Sequence, residues 1–141
     1  MPSSPINLPA GYAPAFAIGF SESGGLSVVD AAKPLPVQNM NISAAAPLQG
    51  STDSTTMAGP FLPAAGRVVV LTLSGAWTGS VRLLRSTDGG VTKLPVTAGG
   101  YAWGSYTANA CEQVWLEEET GAALFLDIAL TTGTLTYRLA Q

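Results

Sequence analysis

The sequence predicts an all-β protein, an antiparallel β-sandwich of jelly-roll-like or immunoglobulin-like type with an extended N-terminal arm. Three observations predict it. Residues alternate with period two over short runs in the second half of the chain: Leu135, Tyr137 and Leu139 oppose Thr134, Thr136 and Arg138, and Leu124, Leu126, Ile128 and Leu130 fall on one face against Ala123, Phe125, Asp127 and Ala129 on the other. Gly-rich turn sequences separate those runs at the spacing usual for sandwiches and barrels. Nine of the ten prolines precede Gly66, whereas all three tryptophans and eleven of the fifteen charged residues follow it, so the chain has two unlike parts.

The first part, residues 1–46, is the arm. Each proline there removes a backbone donor and pushes its predecessor toward extended geometry, which excludes helix. Short extended pieces are expected at Leu26–Val29 and Leu35–Gln38, each too short to be stable alone. Tyr12, Phe16, Ile18, Phe20 and Leu26 are more apolar than a solvated linker requires. They are the expected partner-contact residues of a segment that is ordered by lying on another surface.

Residues 47–141 are the sandwich. Strands are expected at 55–62, 67–73, 80–86, 92–97, 101–107, 113–118, 122–130 and 134–140, with Ser74–Gly79 and Thr131–Gly133 as turns. The stretch Arg85–Lys93, RSTDGGVTK, contains Ser86, Asp88, Gly90 and Thr92 at the spacing of an Asp-box. In that motif the Asp accepts hydrogen bonds from backbone amides and closes a hairpin, so these four residues are read as a structural turn. Lys93 stands where the motif normally carries an aromatic residue.

At 141 residues the chain suits one domain. A net charge of −3 with scattered Lys and Arg gives no footprint for nucleic acid. Ala15–Phe20 falls far short of the roughly 20 apolar residues of a membrane helix, and the first ten residues lack a secretory n-region, so synthesis in a host cytoplasm is expected. The lack of histidine removes the commonest general base and metal ligand, and the single Cys111 excludes multi-cysteine zinc sites. No catalytic, cofactor-binding or metal residues are expected, and hence no enzyme and no cofactor. Glu117–Glu119 is read as a solvated strand end, because on a strand the middle carboxylate points away from its neighbours. Cys111 is read as a small, at least half-buried hydrophobe. Tyr101 and Trp103, two apart on one strand, are read as core residues, with glycan contact by exposed rings as the alternative.

Charged residues are only 11% of the chain, well below the average of roughly 25%, so part of the surface is expected to be covered by neighbours. The stretches LSGAWTGSVRLLRSTDGG (73–90), WGSYTANACEQVWLEEE (103–119) and GTLTYRLAQ (133–141) resemble the C-terminal β-sandwich of small virion proteins of tailed bacteriophages and prophages. VVDAAKPLPVQ (28–38) is similar to short linkers in phage fibre and decoration proteins. The resemblance implies a structural virion protein, foremost a capsid decoration or cement protein bound to the major capsid protein or other virion proteins. With the low surface charge it points to a homo-oligomer, a trimer favoured, while the charge pattern and the lack of a long apolar run argue against nucleic-acid and membrane contact. A tail or fibre component, or a carbohydrate-binding module for host glycans, is the alternative.

Overall fold

In a computed structural model, residues 18–22, 24–35 and 42–141 are described; Tyr12 and Phe16 lie outside them, as does most of the expected Leu35–Gln38 strand. All regular elements among the described residues are β. The chain divides into two units, residues 1–40 and 41–141. In the first, β1 (Gly19–Glu22) and β2 (Gly25–Val28) form an antiparallel hairpin with Phe20 opposite Ser27 and Ser21 opposite Leu26. Ile18 is exposed and Phe20 half-buried.

The second unit is built on two long strands, β5 (Arg67–Ser86) and β11 (Ala123–Ala140), which pair antiparallel from Ser86↔Ala123 to Val70↔Ala140. The sequence reading divides each into two strands separated by a turn. The structure keeps both continuous and bends them instead. Gly79 and Gly133, both at positive φ, lie in the bend, and a Cβ on either would collide with a carbonyl oxygen of the opposite strand, that of Ala129 or Ala76. These glycines let the two backbones approach where the ladder folds, so what reads as turn chemistry serves a bend.

Around this spine lie β3 (Leu48–Thr52), β4 (Thr56–Phe61), β6 (Leu94–Pro95), β9 (Ser105–Tyr106) and β10 (Ala110–Glu117). The first half of β5 carries β10 on its free side, and the second half of β11 carries β3. Beyond the bend, β5 carries β9 and β6 and β11 carries β4. One folded sheet thus supplies both layers. Val69, Leu71 and Leu73 from one half of β5 meet Val81 and Leu83 from the other in a single core, joined by Leu124, Leu126, Ile128, Leu135 and Leu139 of β11.

The inward residues of β11 change from even to odd numbers between Ile128 and Leu135. A register shift between Leu130 and Thr132 accounts for this, since one extra residue flips every later side chain to the opposite face. The remaining pair, β7 (Thr97–Ala98) and β8 (Tyr101–Ala102), is a small separate hairpin.

Candidate functional site

Four features meet at the edge formed by β6 and β10: the Asp-box loop, Arg85, Trp115 and the three glutamates. Ser86 is buried, and its Oγ accepts from the Gly90 amide at 2.9 Å and lies 2.7 Å from Asp88 Oδ1. The Thr92 amide donates to both Asp88 oxygens, at 2.9 and 3.0 Å. These bonds, the Thr92 amide first and then the Ser86 hydroxyl, hold the Asp88 carboxyl down at about 2. Ser86, Asp88, Gly90 and Thr92 are therefore joined in one network, within the connection between paired β5 and β6 (Arg85↔Leu94).

Lys93 has a specific place beside this loop. Its Nζ donates to the Gly90 carbonyl and lies 4.8 Å from the centroid of Phe125, a cation–π contact. Phe125, Leu84 and Ala123 form a small buried cluster on the opposite face of the sheet from the main core. A long cation thus sits where an aromatic ring is usual in the motif.

Glu117 corrects the sequence reading. It is only 2% exposed, whereas Glu118 and Glu119 are exposed as expected. The cause is a register shift in β10 between Gln113 and Trp115, which turns both Val114 and Trp115 toward the core. Two residues beyond Trp115, Glu117 faces the same way. Arg85 donates to it as a fork, from Nε to Oε2 and from Nη2 to Oε1, each at 2.8 Å. The Trp115 Nε1 (3.1 Å) and the Glu118 and Glu119 amides (3.1 and 2.9 Å) also donate to it. Burial alone would raise the Glu117 pKa, but the Arg85 fork and the other donors outweigh it and hold the carboxyl at about 2. Arg85 also donates to Glu119 at 2.6 Å, and its own pKa is raised by the two carboxylates. Because β10 and the second half of β5 belong to different layers, this ion pair ties the layers together across their open edge.

The aromatics also differ from expectation. Tyr101 is 82% exposed and Trp103 49%, so neither is a core residue. The strand expected at 101–107 is broken by Gly104, buried at positive φ, where an added Cβ would press on Leu83. Alternation does not survive that break. Tyr106 packs against the core with its hydroxyl 2.7 Å from Glu112, while Trp103 donates from Nε1 to the Val114 carbonyl at 2.8 Å. Cys111 is exposed on β10, 3.6 Å from the Thr72 hydroxyl, because it falls on the outward side of that strand. Trp77 lies in the bend of β5, where its Nε1 donates to Asn109.

Between the Asp-box loop and Trp115 lies a groove of about 270 Å³. Leu94, Pro95, Val96 and Trp115 give it apolar walls; Arg85, Asp88, Thr87, Thr92 and Thr97 give it polar ones. A second, more open depression shares Arg85 and Trp115 and adds Leu116 and Glu117–Glu119. Asp88 and Glu117 titrate far below the range in which a carboxyl transfers protons efficiently at neutral pH. At that pH both are fixed negative charges; Glu117 is buried against Arg85, whereas Asp88 is exposed and open to a ligand or a neighbouring side chain. Among the described residues no cluster of three His, Cys, Asp or Glu side chains is arranged to hold a metal ion. No local sequence pattern announces the groove, because Trp115 lies far along the chain from Arg85 and Asp88; the GluGluGlu run marks only the adjoining depression. No protein-family model, curated protein or solved structure compared with the chain gives a significant match.

Proposed function

We propose that the protein is a non-enzymatic structural component of a tailed-phage virion, foremost a capsid decoration or cement protein bound to the major capsid protein. The observation that carries this reading is the division of the chain into a sandwich unit and a separate N-terminal unit with exposed apolar side chains. Ile18, Val28 and Leu35 are 68%, 50% and 45% exposed in that N-terminal unit. Apolar groups left in water there favour burial against a neighbour. The low charge content and the resemblance of residues 71–141 to phage virion modules support the same assignment.

The test is co-sedimentation with heads of the cognate phage that lack this protein. Full-length protein should pellet with them, and protein lacking residues 1–40 should remain in the supernatant. Failure of the full-length chain to bind heads overturns the decoration role, and continued binding of the truncated chain overturns the arm as tether. In sedimentation equilibrium the favoured state is a trimer; a strict monomer at micromolar concentration removes the oligomer from the proposal.

The exposure of Tyr101 and Trp103 favours a second reading, contact with host glycans. Flat rings open to solvent are a stacking surface for sugars, as core rings are not. A glycan array that gives signal with the native chain and none with Tyr101→Ala supports it; a blank array removes it.

A further inference from the structure

We infer that the groove beside Trp115 receives a lysine or arginine side chain of a partner protein. The first ground is shape. The cavity, about 270 Å³, is walled on its apolar side by Leu94, Pro95, Val96 and the Trp115 ring, which suits the methylene stem of a long side chain. Leu94 is 64% exposed, so that wall is open to a ligand.

The second ground is charge complementarity. The residues lining this groove and the adjoining depression carry one positive charge, Arg85, against four negative ones, Asp88, Glu117, Glu118 and Glu119. That balance of −3 equals the net charge of the whole chain, so the remaining residues sum to zero and the excess is concentrated here. Arg85 is engaged by Glu117 and Glu119, and Glu117 is buried with its oxygens bonded, so the carboxylates open to a ligand are Asp88 in the groove and Glu118 beside it. Lys93 is turned away, onto Phe125 and the Gly90 carbonyl. Arg67, opposite Glu117 in the ladder, donates to the Ile42 carbonyl.

An incoming ammonium or guanidinium therefore finds a carboxylate, Asp88, and an indole, Trp115, in the lining of one groove, two groups that attract a desolvating cation. A neutral sugar would use the ring and the hydroxyls but would leave the charge excess unanswered, and an anion would be repelled. The inference depends on the virion reading only for which protein supplies the side chain.

The experiment uses the full-length, 15N-labelled chain and the indole N–H resonances of its three tryptophans. The probes are the blocked tripeptides acetyl-Ala-Lys-Ala-amide and acetyl-Ala-Arg-Ala-amide, with the norleucine analogue and glucose as comparators. The cationic peptides should shift the Trp115 indole saturably, and norleucine and glucose should not. Asp88→Asn, which keeps an acceptor for the Thr92 amide, and Glu118→Gln, on an exposed side chain, should each weaken binding several-fold while leaving the melting temperature within a few degrees. A silent Trp115 resonance, an equal response to norleucine, or unchanged affinity in both variants overturns the inference. A response to glucose alone assigns the groove to glycans instead. Because no phage particle is involved, these outcomes are separate from the co-sedimentation result.

Discussion

The two margins of the sandwich close in different ways. At the bend, β5 and β11 pass from one layer to the other as continuous strands, and closure is a matter of backbone: glycines at positive φ and a ladder that resumes directly beyond a one-residue shift. At the opposite margin β6 and β10 are not paired with each other, and closure depends on side chains, chiefly the Arg85–Glu117 fork and the Trp115 ring. Continuous backbone leaves little room for a ligand. A side-chain latch leaves gaps, and the groove lies at that margin.

If the bend depends on backbone geometry, its glycines should be the least replaceable residues in the sandwich. Gly79→Val or Gly133→Val should destabilise by roughly 5 kcal/mol, comparable to the full stability of many domains, and yield insoluble or unfolded protein. A soluble variant with a native circular dichroism spectrum would break the contrast. The latch should rank next. Glu117→Ala leaves the partly exposed Arg85 guanidinium with Glu119 alone and removes the acceptor of the Trp115, Glu118 and Glu119 N–H groups, so it should cost about 2–3 kcal/mol, measured by urea denaturation.

Acid sharpens the same point. Because the folded-state pKa of Glu117, about 2, lies below its ordinary 4.5, the pair's contribution is complete above pH 4.5 and fades as the pH falls toward 2. Melting temperature should therefore decline through that window, and the decline should be shallower in Glu117→Gln. Ser86→Ala, which removes a buried acceptor of the Gly90 amide, should cost about 1–2 kcal/mol. The smallest effect belongs to Arg82→Ala. Its 2.6 Å pair with Asp127 lies on the outer face with the arginine 54% exposed, and exposed pairs contribute at most about 0.5–1 kcal/mol. A loss as large as that of Glu117→Ala would show that burial is not what distinguishes the two pairs.

Much of this architecture was legible in the residues. The face assignment of Leu124, Leu126 and Ile128, and of Leu135 and Leu139, follows from alternation alone, and the break in parity between them marks where the bulge lies. What alternation cannot convey is whether such a break is a loop or a bend, because Gly serves both. Hence four expected strands proved to be two. The Asp-box hairpin was legible because its bonds are local, spanning at most four residues. The burial of Glu117 and the exposure of Tyr101 were not, since each depends on a single displaced residue, the bulge at Val114 and the break at Gly104. Arg85 and Glu117 pair over 32 positions of sequence, and no local pattern announces such a partner.

The passage of β5 and β11 through both layers has a mechanical corollary. Melting of one layer is coupled to melting of the other, because each contains half of the same two strands. A pull directed along those strands is resisted by the hydrogen bonds of the ladder acting in parallel, so rupture must be collective rather than stepwise. That geometry resists stretching while the side-chain margin remains free to engage a neighbour.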